Sequence, residues 1–147
     1  MHSISIPIGL PVELSSLSLV LPLAGDVVHA GFPSPALDFP GERIDLIKTL
    51  VTHPQATFLL RVSGDSMRDA GIFDDDVLVV NRALRPRHGH VVVAQVDGDF
   101  TVKYLYQRGG RVKLRAANVT FPDIIPGDGQ TLEVFGVVTS CIKQFKV

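Results

Sequence analysis

The sequence contains a single cysteine, Cys141, so no disulfide can form within the chain, and this usage fits a reducing cytoplasm. The first 40 residues hold no lysine or arginine, only Glu13, Asp26 and Asp38 as charged groups. The same segment carries Pro7, Pro11, Pro22, Pro33, Pro35 and Pro40. A proline-punctuated, non-basic stretch excludes a helix-turn-helix there, and with it direct sequence-specific DNA binding. No apolar run is long enough for a membrane helix: Leu17 to Ala24 is short and is interrupted by Ser18 and Pro22. Val28-His29-Ala30 has the small residues of a signal-peptidase site, but no positively charged segment precedes it. The net charge of −1 gives no global basic field for nucleic acid. Internal repeats and low-complexity tracts are also missing. His88-Gly89-His90 has no cysteine or acidic cluster to complete a ligand set, so it reads as a turn, and no metal or cofactor is expected.

The chain itself divides into two parts. Residues 1–40 read as a flexible N-terminal arm without sustained periodicity, in which Leu17 to Leu23 is extended enough to pair with a sheet edge or another subunit. Residues 41–147 read as one β-rich domain. A helix is expected over Glu42 to Thr52, with an apolar stripe of Ile44, Ile47, Leu50 and Val51, ending before Pro54. Strands are expected at Thr57–Val62, Val77–Asn81, Val91–Val96, Phe100–Tyr106, Val112–Ala116 and Leu132–Gln144, the last bending or splitting near Gly136. Asp97-Gly98 marks a two-residue hairpin turn and Gly109-Gly110 a second turn, while Asn118 to Gln130 reads as loop. Asp74 to Asp76 reads as a solvated acidic turn, Arg82, Arg85 and Arg87 as a solvated basic loop, and Cys141 and Met67 as packed residues.

Two positions carry the chemistry. Ser63-Gly64-Asp65-Ser66-Met67 is a polar, glycine-containing turn between apolar runs, able to present a hydroxyl beside backbone N–H groups. Lys103 lies inside the apolar run Phe100 to Leu105. With a two-residue turn at Asp97-Gly98 the register sets Lys103 opposite Val92, with Thr101 and Leu105 on the same face. A serine becomes a nucleophile when a base takes its proton, and a lysine serves as that base only if burial makes its amine neutral. The residues alone also allow the plainer reading, a strand lysine facing water and a serine in an ordinary turn. The G-x-S-x-G elbow of α/β-hydrolases is excluded, because Arg68 occupies the second glycine position.

Ser63-Gly64-Asp65-Ser66-Met67, with Ala70-Gly71-Ile72 and Asp74-Asp75-Asp76 after it, resembles the nucleophile box of the LexA/UmuD family of self-cleaving serine peptidases (S24). Asp97-Gly98-Asp99-Phe100-Thr101-Val102-Lys103 resembles that family's lysine box, 37 residues downstream of the serine. Ala30-Gly31-Phe32-Pro33-Ser34-Pro35-Ala36 is similar to the cleavage segment of UmuD-like members, as are Glu42-Arg43-Ile44-Asp45-Leu46 and Val134-Phe135-Gly136-Val137-Val138 to their counterparts. The resemblance runs from about residue 26 to the C-terminus. It implies a mostly-β peptidase domain of twisted antiparallel sheets with one short helix, behind an extended arm. It further implies that Ser66 and Lys103 are catalytic, that the N–H groups of Asp65 and Ser66 form the oxyanion hole, and that the chain cuts its own Ala30–Gly31 bond. The 35 or so residues between cut and serine reach far beyond a small domain at about 3.3 Å each. Implied partners are a second copy in a homodimer, the RecA filament on single-stranded DNA as trigger, and a UmuC-like Y-family catalytic subunit forming an error-prone translesion polymerase. The alternatives are a catalytically idle dimerisation module, a LexA-like regulator without its DNA-binding domain, and a type I signal peptidase, which needs a membrane anchor.

Overall fold

The computed structural model describes residues 17–36 and 39–147. The β-branched runs form a six-stranded antiparallel sheet from β3 (Thr57–Arg61), β4 (Val77–Asn81), β5 (Val91–Val96), β6 (Asp99–Arg108), β7 (Arg111–Arg115) and β8 (Leu132–Ile142), in the order β3-β4-β8-β5-β6-β7. Strand β8 lies between β4 and β5, which accounts for its length and for the near-continuous burial of Leu78 to Asn81 and Val92 to Ala94 beside it. Alternate residues of β5 enter opposite layers. Val93 joins Val62, Met67, Ile72, Leu78, Val80 and Ala117, whereas Val92 and Ala94 join Leu105, Leu114 and Val137. The sheet is thus covered on both faces over its middle strands.

The bend expected near Gly136 takes the form of a bulge at Phe135, and a second bulge lies further along the strand. β8 runs unbroken to Ile142, and its register shifts once against β5, between Val93 and Ala94, and once against β4, between Val79 and Val80. The first shift leaves Phe135 without a partner on β5, and its ring meets those of Phe58 and Phe100 edge-on at 5.7 and 5.5 Å. Arg82 is exposed, as the expected solvated basic loop has it, but its guanidinium lies over the Phe135 ring at 4.3 Å and donates from Nε to the Phe135 carbonyl. A Cβ on the adjacent Gly136 would stand 2.7 Å from Val80 Cγ1.

The helix over 42–52 is corrected. Glu42–Asp45 is strand β2, paired antiparallel with β1 (Val20–Leu23) in a separate two-stranded sheet, and only Leu46–Leu50 is helical (α1). The cause is Asp45. Its carboxylate accepts the Lys48 N–H and caps the helix, which fixes the start after residue 45. The same carboxylate accepts the Ser18 hydroxyl at 2.7 Å and the Leu19 N–H, and the Ser18 bond above all holds its pKa below the usual carboxylate value. The expected apolar stripe reaches no buried position.

Part of the expected arm, Val20–Leu23, is therefore a paired strand. β1 and β2 close a loop over residues 24–41, and its neck is narrow. A Cβ on Gly25 would lie 2.6 Å from the Phe39 and Pro40 carbonyl oxygens, one on Gly41 would collide with the Leu23 carbonyl, and Phe39 N–H reaches Asp26. Gly41→Ala is expected to unzip β1 from β2 without loosening the six-stranded sheet. Hydrogen exchange should show lost protection at residues 20–23 and 42–45 and unchanged protection in β4, β5 and β8.

Candidate active site

The serine turn is fixed from below by the segment that follows it. Val62 N–H donates to the Asp76 carbonyl at 2.8 Å, Asp75 N–H returns to the Val62 carbonyl at 2.9 Å, and Gly64 N–H reaches the Asp74 carboxylate at 2.8 Å. Gly64 adopts φ +99°, a conformation that favours glycine, and the chain then turns Met67 into the core, where it is 1% exposed. A 3₁₀ turn over Arg68–Ala70 follows and ends at Gly71 in the left-handed region. Asp74 and Asp75 are exposed, as a solvated acidic turn requires, while they also hold the serine turn, and the reading is corrected only at Asp76. Asp76 is buried and its carboxylate accepts from Phe73 N–H, the Cys141 thiol and the Lys143 ammonium. Burial alone would raise the Asp76 pKa, but the bonds from Lys143, Phe73 and Cys141 outweigh it and the net direction is down.

Lys103 arrives from β6. The hairpin places it opposite Val92, as the turn at Asp97-Gly98 predicts, and it is only 7% exposed. Its Nζ lies 2.8 Å from Ser66 Oγ, 2.7 Å from Thr101 Oγ1 and 3.1 Å from the Val102 carbonyl. Three acceptors match the three protons of an ammonium. In the neutral amine two of them still fit the two N–H bonds, and the lone pair becomes available to the Ser66 hydroxyl. No carboxylate shares the set, so nothing offsets the loss of hydration, and burial pushes the Lys103 pKa down from that of an ordinary lysine.

Two further contacts hold the turn from the side. Ala117 N–H donates to the Ser66 carbonyl at 2.8 Å, and Asn118 Nδ2 donates to the Asp65 carbonyl at 2.9 Å. Sequence reasoning read this segment as loop, and nothing nearby in the chain signals its contact with residues over 50 positions away. Thr101 was placed on the Lys103 face by period-2 alternation, but its bond to Nζ shows only in three dimensions. Among the described residues, no hydrogen bond engages the N–H of Asp65 or Ser66. The structure does not bring Ala30 and Gly31 to the serine. Residues 27–36 are exposed, with Val28 at 92% and Phe32 at 95%, and a Cβ on Gly31 would meet no atom within 4 Å. Among the described residues no cluster of three potential metal ligands occurs, and no helix is long and apolar enough to cross a membrane.

A β-rich domain that buries a lysine amine against a serine hydroxyl has the arrangement of a serine peptidase. The chain does belong to the family described as peptidase S24-like, whose model matches residues 22–139. Within that family it is UmuD-like. It is 44% identical to Protein ImpA of Escherichia coli over 127 residues, 85% of each chain. It is 42% identical to Protein SamA of Salmonella typhimurium over 130 residues, covering 88% of this chain and 90% of SamA. A LexA repressor from Azoarcus is 42% identical over 127 residues, and there the match covers 86% of this chain but 62% of the repressor.

Two outcomes are expected from these surroundings. A buried lysine with a lowered pKa binds fewer protons folded than unfolded, so it opposes folding below its folded pKa, and that opposition fades as pH rises towards the unfolded value. Lys103→Met should therefore raise the unfolding free energy from chemical denaturation at neutral pH by about 1 kcal/mol, with the gap to wild type closing at alkaline pH. Asp76 has the opposite sign: its lowered pKa supplies stability above the unfolded carboxylate value, lost as pH falls through the folded one. Asp76→Ala should cost about 2 kcal/mol at neutral pH in chemical denaturation, and less as the pH is brought below the carboxylate range.

Proposed function

We propose that this protein is an autoproteolytic switch that cuts its own Ala30–Gly31 bond with Ser66 as nucleophile and Lys103 as general base. The observation that carries the reading is the 2.8 Å contact between Lys103 Nζ and Ser66 Oγ in a site where burial favours the neutral amine. With the Ala30 carbonyl in the site, Ser66 Oγ bonds to its carbon while its proton passes to Lys103 Nζ. The charge on the carbonyl oxygen is met by the N–H groups of Asp65 and Ser66. Collapse breaks the C–N bond, and the Lys103 ammonium returns its proton to the Gly31 nitrogen. Water then attacks the ester, losing a proton to the same amine, and leaves the Ala30 carboxylate and a regenerated Ser66 hydroxyl. Thr101 Oγ1 aims Nζ throughout, and no cofactor is required.

The scissile segment has to travel. Residues 42–50 and 57–61 belong to β2, α1 and β3, with a 3₁₀ turn at Pro54–Ala56 between them, so the long tether expected from sequence shrinks to the loop 24–41. Ala30 lies five residues past Gly25, a reach of about 17 Å at 3.3 Å per residue while the neck stays closed. Beyond that, the neck opens or a second copy supplies the bond. The small side chains at Ala30 and Gly31 suit entry into a narrow cleft.

The UmuD-like relatives support a role in the SOS response in the cytoplasm. The RecA filament on single-stranded DNA would stimulate the cut, and the shortened homodimer would join a UmuC-like Y-family subunit in error-prone translesion synthesis. The test is incubation of the purified chain from neutral to alkaline pH with intact-mass detection. Loss of residues 1–30 is expected, at a rate that rises with pH and levels off below the ~10.4 of a solvated lysine. Ser66→Ala and Lys103→Ala should abolish it. A pH-independent rate, or shortening that survives Lys103→Ala, would overturn the mechanism.

A further inference from the structure

We infer that Asn118 is a positioning residue that aims the Ser66 N–H at the developing oxyanion, an inference that rests on the self-cleaving reading above. Within a trans peptide unit the C=O and N–H point in opposite directions. The carbonyl of the unit joining Asp65 to Ser66 is held by Asn118 Nδ2 at 2.9 Å, so the N–H of that unit, on Ser66, points away from Asn118. The next unit is fixed in the same sense, because Ala117 N–H holds the Ser66 carbonyl at 2.8 Å, and the Ala117 carbonyl in turn accepts from Asp69 N–H at 2.7 Å. Successive carbonyls around the nucleophile are thus pinned to one short segment, Ala117-Asn118, that reaches them from β7.

The Asn118 amide has one possible orientation. Its Oδ1 accepts from Thr120 N–H at 3.1 Å and from the Thr120 hydroxyl at 2.9 Å. A backbone N–H only donates and the Asp65 carbonyl only accepts, so the amide oxygen must face Thr120 and the amino group must face Asp65. Both ends are engaged, and the side chain is braced on its own loop before it touches the serine turn. Among the described residues the Ser66 N–H has no acceptor, which leaves it for a ligand oxygen. Within the turn the Asp65 carbonyl also accepts the Arg68 N–H, at a longer 3.3 Å, so the shorter cross-chain bond from Asn118 completes the orientation that the turn begins. A donor that must be in place before charge develops gains from such preorganisation.

The prediction is a loss of rate without a change in the base. In the full-length chain, Asn118→Ala should slow alkaline self-cleavage about tenfold, less than the ~10²–10³ that follows removal of an oxyanion donor itself. The inflection of the pH–rate profile, set by Lys103, should not move. Asn118→Asp keeps the size and the Thr120 bonds but sets a carboxylate oxygen against the Asp65 carbonyl, and its rate should fall at least as far. In an uncut Lys103→Ala background, Asn118→Ala should shift the Ser66 amide resonance in an ¹⁵N-correlated spectrum. Wild-type cleavage rates in either variant, a displaced inflection in Asn118→Ala, or an unmoved Ser66 amide would overturn the inference. If the parent chain does not cut itself at all, the proteolytic reading falls, and the amide resonance still decides whether Asn118 orients the peptide.

Discussion

The site depends on one buried amine. Lys103 lies on a strand flanked by apolar neighbours, with a hydroxyl, a second hydroxyl and a carbonyl around Nζ and no anion. A carboxylate in that set would stabilise the ammonium and raise its pKa, which would deny the site the base proposed above. The surrounding layers of Val, Leu and Ile therefore act chemically as well as mechanically: they withhold water from a cation that has no counter-ion. The expected cost is a fold below its attainable stability, as the Lys103→Met comparison would read.

The proposed base would need a hydroxyl partner that cannot drift. The serine turn has bonds of its own, among them Arg68 N–H to the Asp65 carbonyl and Ile72 N–H to the Met67 carbonyl, and two other stretches add to them. The acidic segment 74–76 supports it from below, anchored by Lys143 near the C-terminus. Ala117 and Asn118 hold its carbonyls from the side. Met67 ties it to the packed layer beneath. Cys141 completes the anchor around Asp76: it packs against the core cluster, as the sequence suggests, and its thiol also donates to the Asp76 carboxylate.

Much of this was legible before any coordinates. Period-2 runs and the Asp97-Gly98 turn gave the strands, and the register of that turn placed Lys103 opposite Val92 with Thr101 on its face. Such features are local, decided by residues a few positions apart. The failures have the converse cause. Glu42 to Asp45 carries a helix-like pattern, but β1 lies across it and Asp45 caps later than the stripe suggests. Asp74 to Asp76 looks like a charged surface turn until a lysine from far along the chain neutralises one member. Asn118 gives no short-range signal, because its partner is 53 residues away. Competition and long-range pairing decide these places, and neither is written in a window of neighbours.

The loop between β1 and β2 has one more implication. While the chain is intact, β1 is tethered to its partner strand, and the tether keeps its effective concentration near the millimolar range. The pairing itself spans four residues, Val20 to Leu23 against Glu42 to Asp45, with most of its surface in water. Isolated two-stranded ribbons of that size are marginal. Severing the loop would turn a fold contact into a bimolecular association too weak to last in dilute solution. Departure of the leading peptide would then need no further catalyst, and the vacated flank of β2 would present unpaired backbone groups that the uncut chain keeps covered.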